Sequence, residues 1–355
     1  MTEKGREWTS TKIAKLFKSS NKLKNRQTLF NAEEKGEIPK ASRTSRGRTQ
    51  VRIWEPKQLP EIGRKFGFLE PPAMQQIISV YTSKGGVLKS TFAHNFGRVL
   101  AINGIKVLLI GLDIQLSLTE AIMPAISIDS LEDINNEIYG LYHYFFENVP
   151  LKKIIQHTEL PTLDYIPETP ELNALEKSLR NENRREYFIK DRLVPKLDDY
   201  EVIIFDNSPH WSCLIENALA ASNHIISPIG CEINSYRALN QHNAFIKAYR
   251  ENMHIQWDNF ILLPTLLEKT KLSQQIYGAY LTDYAKEVIA TPIRRAVTGH
   301  EASLLGISVI EHDVSSPLAS DYFDIIQTIW PRIIHSNHLN KHAATDKVNV
   351  VAMEA

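Results

Sequence analysis

The spacing of hydrophobic and polar positions changes along the chain. Near the N-terminus, Ile13, Ala14, Leu16 and Phe17 recur at helical spacing behind Thr9 and Ser10, either of which can cap a short helix. A second helical stretch carries Arg26, Thr28, Leu29, Phe30 and Ala32 and stops near Gly36. A polar, basic loop follows, and Val51 and Ile53 then alternate with polar neighbours ahead of Trp54, which reads as a β-hairpin. A third helix fits Pro56 to Phe66, with Pro60 as a local interruption. Glu70, Pro71 and Pro72 end this pattern, because proline cannot continue a helix and pushes its predecessor towards extended geometry. Beyond them, short apolar runs at 77–81, 106–110, 202–205, 223–229, 259–265 and 287–293 alternate with helical stretches. That alternation predicts the α/β class, with a doubly wound, mostly parallel sheet.

A length of 355 residues suggests two domains, and 43% hydrophobic with 23% charged residues is ordinary for a soluble globular chain. The two cysteines, Cys213 and Cys231, form neither a disulfide framework nor a cysteine-based zinc site. No apolar run reaches 18 residues and none follows the opening MTEKGREW, so the expectation is a cytoplasmic protein with no membrane attachment. The net charge of zero hides an asymmetry. Residues 1–70 hold 17 Lys and Arg against 8 Asp and Glu, while the remainder holds 24 against 33. A basic block on an acidic body suggests a nucleic-acid-facing module.

The chemistry concentrates in SKGGVLKST, between an apolar strand and the helical run Phe92, Ala93, Phe96, Val99, Leu100. A strand-to-helix turn is where a phosphate-binding loop belongs. Glycines let backbone N–H groups converge on phosphate oxygens, and the helix N-terminus adds partial positive charge. A lysine supplies a point charge, and a hydroxyl can ligate Mg²⁺. The pattern G-x-x-x-x-G-K-[ST] fails, since its glycines would fall on Ser83 and Leu88. The pattern K-G-G-x-x-K-[ST] matches, as Lys84, Gly85, Gly86, Val87, Leu88, Lys89 and Ser90.

This resembles the deviant phosphate loop of the ParA/MinD family of ATPases. The resemblance implies ATP and Mg²⁺ as cofactors, with Gly85, Gly86, Val87 and Leu88 lining the phosphates. It makes Lys89 the loop lysine, Ser90 an Mg²⁺ ligand and Thr91 a phosphate contact. Lys84 would reach across a nucleotide sandwich homodimer to the partner's ATP. Most members of the family have Gly where this chain has Leu88.

Two further segments fit the same family in the same order. After KVLLI come Gly111, Leu112, Asp113, Ile114 and Gln115, similar to the switch D-x-D-P-Q. Asp113 and Gln115 match; Gly111 and Ile114 depart. By the resemblance Asp113 orients the attacking water and lies near Mg²⁺. EVIIFDNSP looks like the Walker B element, so Asp206 would hold Mg²⁺, with Asn207 beside the nucleotide in a second switch. The block TPIRRAVTGHEASLLGISVIEHD resembles the ParA stretch that contributes non-specific DNA binding, with Arg295 and, earlier, Lys269 at matching basic positions. Thr298 stands where a second arginine is usual, and Arg294 and Lys271 are nearby substitutes.

The N-terminal segment is similar to a MerR-type winged helix-turn-helix head, through Glu33, Glu34, Gly36, Ile38, Pro39, Arg52 and Trp54. By that likeness Lys24, Asn25, Arg26 and Gln27 are candidates to read base edges, and Arg43, Arg46 and Arg48 of the wing to touch phosphate or minor groove. The expected organisation is a DNA-binding head at 1–70, a linker at 71–75, a ParA-like ATPase domain at 76–335 and a flexible tail at 336–355. The expected function is ATP-dependent DNA partition: a nucleoid-associated homodimer, a ParB-like partner that stimulates weak hydrolysis, and repression of its own operon through the head. A nucleotide-controlled transcription regulator, or a relative that positions a protein cargo, is the alternative. His94, Cys213 and the aromatic group Tyr142, Tyr144, Phe145 and Phe146 read as structural.

Overall fold

The computed structural model describes residues 7–18, 20–46, 49–123 and 138–336. The expected tail lies almost wholly outside them. The N-terminal segment opens with strand β1 (Trp8–Thr9) and helix α1 (Ser10–Leu16), whose N-cap is Thr9, accepting from the Lys12 amide. Helix α2 (Arg26–Glu34) is capped by Asn25. Strands β2 (Ser42–Arg46) and β3 (Thr49–Trp54) pair antiparallel, and β1 adds to β3, so the order is β1-β3-β2. A 3-10 turn at Pro56–Gln58 leads into helix α3 (Leu59–Phe66).

The motif residues of this segment bond to one another. Arg52 pairs with Glu33 at 2.7 Å and lies over the Phe30 ring, 4.0 Å from its centre. Glu33 also accepts from the Ala41 amide at 2.9 Å, and the buried Trp54 indole donates to the Pro39 carbonyl at 2.8 Å. Helix α2, the turn after it and the hairpin are therefore one cross-braced unit.

The body follows in chain order. It starts with β4 (Gln76–Val80), α4 (Lys89–Ile102), β5 (Val107–Leu112) and α5 (Ser117–Ile122). Next come α6 (Leu141–Phe146), α7 (Leu151–Ile154), β6 (Gln156–His157), β7 (Leu163–Ile166), α8 (Leu172–Leu179) and α9 (Phe188–Arg192). The chain continues with β8 (Val202–Asn207), α10 (Cys213–Ala221), β9 (His224–Gly230), α11 (Ile233–Asn252) and β10 (Asn259–Thr265). It closes with α12 (Lys271–Asp283), α13 (Val297–Leu304), α14 (Val309–His312) and α15 (Pro317–Ile334). The seven-stranded sheet has the order β10-β9-β4-β8-β5-β7-β6, with every pair parallel except β6 and β7.

Alternation along the strands builds two layers. Ile78, Val80, Val107, Leu109, Val202 and Ile204 join one cluster, and Ile77, Leu108, Ile110, Ile203 and Phe205 the other. Strands buried on both faces read as continuous apolar runs, as these do. Tyr142, Tyr144, Phe145 and Phe146 pack against the second cluster, as expected of core aromatics.

One expected strand is corrected. Residues 287–293 form no strand; Val288 and Arg294 make isolated parallel bridges to Leu262 and Leu267. Pro264 of β10 has no N–H to give to the Ile289 carbonyl, and the pairing skips from the Ile289 amide on Leu262 to the Ile293 amide on Pro264. Conversely, β6 and β7 extend the sheet on the opposite side.

The N-terminal unit packs on the end of α4. A Cβ at Gly63 would lie 1.8 Å from the Ile102 carbonyl oxygen, so only glycine permits this approach. Asn103 accepts from the Phe68 amide at 2.9 Å, and the Trp330 indole donates to the Glu70 carbonyl at 2.8 Å. One apolar cluster runs from Trp8, Leu29 and Trp54 through Phe66 to Ile102 and Trp330.

Candidate active site

Strands β4, β8, β5 and β7 are neighbours, and the loops at their carboxyl ends carry the charged residues. In open α/β sheets that edge is where ligands bind. Val80 is in register with Asp206, and Asp206 with Gly111.

The loop after β4 turns through Gly86 (φ +72°) and Leu88 (φ +67°) before α4 begins at Lys89. A leucine in the left-handed region costs about 1–2 kcal/mol, so the residue that departs from the family pattern also carries the strain. Space above the loop is open, since a Cβ at Gly86 would meet nothing within 4 Å. Val87 is buried, and its carbonyl accepts from Thr265 at 3.2 Å, so it offers the site only its N–H.

Lys89 is buried and its ammonium donates to the Lys84 carbonyl at 3.2 Å. Burial lowers its pKa, opposed by the charges of Asp206 and Asp113. Ser90 and Thr91 are half-buried in the first turn of α4. The Lys84 side chain is half-buried and makes no ion pair among the described residues.

Asp206, at the end of β8, is fully buried. Neither of its carboxylate oxygens has a hydrogen-bond partner among the described residues. Burial, then the Glu168 charge, pushes its carboxyl up to about 8, against the pull of the Ser90 hydroxyl and Lys89. Two buried, unpaired carboxylate oxygens beside an ammonium and a hydroxyl fit a divalent cation. Asn207 is also buried; its amide nitrogen donates to the Val80 carbonyl at 3.2 Å, while its Oδ1 has no partner among the described residues. Asp113 is buried just beyond β5 and accepts from the Gln115 amide at 3.1 Å.

Sequence reasoning missed Glu168. It follows β7, is 3% exposed, and accepts from the amides of Leu118 at 3.1 Å and Thr119 at 2.8 Å, and from the Thr119 hydroxyl. The signal available was a lone acid two residues past the short strand LDYI.

The basic residues assigned to DNA fall in two places. Lys24, Arg26, Gln27 and Arg43 are exposed on the N-terminal unit. Arg48 lies outside the described residues, as does the side chain of Arg46. Lys269, Arg294 and Arg295 line a groove of about 670 Å³ beside α12, and Lys271 is exposed at the start of that helix. Within the groove Arg294 is bidentate to Asp321, both bonds 2.6 Å, and Arg295 pairs with Glu268 at 2.8 Å and Glu232 at 3.3 Å. Lys269 and Lys271 are exposed and make no ion pair among the described residues, so the two arginines are engaged and the two lysines are available.

His94 and Cys213 are buried away from any such role. Burial lowers the imidazole to about 3 and raises the thiol to about 11.

With this geometry in hand, comparison with known proteins is decisive. The profile of a family described as an AAA domain matches residues 75–258. The sporulation initiation inhibitor protein Soj of Bacillus subtilis is 30% identical over 259 residues, covering 72% of this chain and 98% of Soj. The chain belongs to the ParA/Soj family of P-loop ATPases. A plasmid partition protein from Borrelia burgdorferi bound to AMPPNP shares the fold, with a TM-score of 0.61 at 21% identity over 73% of this chain and all of that one. A cobyrinic acid a,c-diamide synthase from Mycobacterium smegmatis with bound ADP and magnesium is 25% identical, with a TM-score of 0.57, covering 73% of this chain and 95% of that one. A chromosome-partitioning ATPase, Soj of Treponema pallidum, is among the relatives, and the ATPase activity, nucleotide and Mg²⁺ expected from the sequence agree with this membership. No described helix is long and apolar enough to cross a membrane.

Proposed function

We propose that this protein is an ATP-dependent DNA partition ATPase that dimerises with ATP and binds DNA in that state. The observation that carries the reading is Asp206: a fully buried carboxylate at a strand end, with the Lys89 ammonium and the Ser90 hydroxyl beside it. When bound, Mg²⁺ neutralises charge on the transferring phosphoryl group. The chain's own groups would do the rest. Asp206 and Ser90 hold the cation, Lys89 and the N–H groups of Gly85 to Ser90 hold the phosphates with Thr91, and Asn207 lies beside them. Asp113 orients water. Lys84 is free to reach a second protomer. The engaged state presents Lys269 and Lys271 to DNA phosphates, and Arg294 and Arg295 join them once released from their carboxylates.

Residues 1–70 are read as a winged helix-turn-helix head that binds an operator through Lys24, Arg26 and Gln27, followed by a short connection at 71–75. The unit braced by Arg52, Glu33 and Trp54 supports this reading. A ParB-like protein is the expected partner, stimulating a weak hydrolysis.

The test is binding of the purified protein to random-sequence DNA without nucleotide, with ADP and with ATP–Mg²⁺, across salt concentrations. Binding only with ATP–Mg²⁺ is expected, with Lys89→Ala abolishing it. Removing Lys269 and Lys271 together should lower the salt slope by about 2, since each phosphate contact contributes about 0.9. Equal binding in all three nucleotide states would overturn the switch reading.

A further inference from the structure

Helix α5 begins without a cap of its own. Its N-cap position is Leu116, which sits at φ +57° and has no side-chain acceptor. The orphan N–H groups of a first turn need partners. Glu168 supplies them from the loop after β7, accepting from the Leu118 and Thr119 amides and the Thr119 hydroxyl. The Thr119 hydroxyl in turn accepts from the Glu168 amide at 3.1 Å, so the contact is reciprocal.

The carboxylate reaches α5 by crossing the space over Gly111. A Cβ at position 111 would lie 2.3 Å from Glu168 Cδ and 2.5 Å from its Cγ. A side chain at 111 and the Glu168 side chain are therefore mutually exclusive. Between these two positions stretches the loop that carries Asp113, itself closed by the Leu116 amide on the Asp113 carbonyl at 3.0 Å.

We infer that Glu168 is the positioning residue of the Asp113 loop, and that its carboxylate occupies the place an acidic side chain at position 111 would take. It holds the loop between the end of β5 and the start of α5, and it adds negative charge beside Asp206. The role rests on the nucleotide site proposed above, but the tether itself is a property of the nucleotide-free chain.

The experiment uses the full chain and four proteins: wild type, Glu168→Ala, Gly111→Asp and the double variant. Hydrogen exchange of peptides spanning 113–122 is measured without nucleotide, and ATP turnover and KM are measured in parallel. Glu168→Ala should speed exchange in this segment about tenfold, the scale of a lost helix cap, and lower kcat with KM unchanged. Gly111→Asp alone should do the same by displacing Glu168. The double variant should recover both readouts, because aspartate at 111 then has the vacated space. A melting curve accompanies each protein, and Glu168→Gln, which keeps the shape, stands in if the alanine variant does not fold. Wild-type exchange in Glu168→Ala, or a double variant no better than the worse single, overturns the inference. A wild type that never turns over ATP would refute the nucleotide reading while the exchange data still decide the tether.

Discussion

Arg98 offers the sharpest quantitative test of what holds the site together. It lies in α4, the helix that starts at the phosphate-loop lysine, and it is fully buried. Its guanidinium bonds Glu311 of α14 at 2.5 and 2.8 Å, and Glu159 at 2.6 Å, while Nη1 has no partner among the described residues. Glu311 is itself 3% exposed at the side chain and completes a capping box with Ser308. Replacing Glu311 by Gln leaves Arg98 facing only Glu159, whose side chain is 39% exposed. Breaking one side of a buried pair costs about 3–5 kcal/mol. Glutamine keeps one acceptor, so the lower end, about 3 kcal/mol, is expected. For a body of this size that is a fall of about 6–12 °C in melting temperature. Arg98→Met with Glu311→Leu removes both charges and should restore much of the loss, since apolar pairs replace buried ion pairs at little cost.

The same pair sets an acid limb. Burial alone would raise the Glu311 carboxyl, but the Arg98 charge and hydrogen bonds outweigh it and the pKa is lowered. A depressed carboxyl gives stability that is present above its unfolded value and lost as pH falls through the folded one. Wild type should therefore lose stability below about pH 4.5 more steeply than Glu311→Gln. Urea unfolding followed by circular dichroism measures both effects. A loss under 1 kcal/mol in Glu311→Gln, or a double variant as weak as the single, would refute the argument.

Other outcomes follow from single side chains. Leu88→Gly should leave the melting temperature within a few degrees of wild type, because relief of about 1–2 kcal/mol of left-handed strain offsets lost packing. Leu88→Ala keeps the strain and loses the packing, so it should melt below Leu88→Gly; the reverse order refutes the strain. Asp206→Asn should raise the melting temperature of the nucleotide-free protein at neutral pH by about 3 °C or more, because a carboxyl that burial pushes up to about 8 no longer has to take up a proton on folding. It should also erase the Mg²⁺ dependence of binding a fluorescent ATP analogue, and an unchanged Mg²⁺ titration would count against Asp206 as the metal group. Trp54→Phe should cost about 2 kcal/mol, from the lost bond to the Pro39 carbonyl, read as earlier unfolding in urea; no change would mean the bond is inert.

Residues at strand ends were legible in the sequence because local pattern places them. Lys84 to Thr91, Asp113 and Asp206 each sit next to an apolar strand run, and the turn geometry does the rest. Glu168 was not, since β7 has four residues and its acid has no periodic neighbour to mark it. Arg98 and Glu311 are 213 positions apart, and nothing local announces a partner at that distance. The left-handed backbone of Leu88 hides for another reason: leucine is the residue one would least expect there. The segment at 287–293 misled because its composition suits a strand, while Pro264 on the facing strand withholds a donor and the ladder breaks. The Arg294 and Arg295 side chains look free in the sequence; their carboxylates come from α15, from the loop after β10 and from the residue just before α11.

Helix α4 has a consequence of its own. Fourteen residues make a rod about 21 Å long. One end is the phosphate loop; the other, at Ile102 and Asn103, is where the N-terminal unit is pressed so closely that Gly63 admits no side chain. On the function proposed above, the rod joins two grips: the phosphate loop on nucleotide at one end and the N-terminal unit on DNA at the other. Thermodynamic reciprocity then binds them: whatever factor nucleotide imposes on the head's affinity for its DNA, that DNA must impose on the affinity for nucleotide. Under that proposal, any coupling factor other than one makes DNA held by the N-terminal unit change the affinity for nucleotide, with no second protein needed to carry the message.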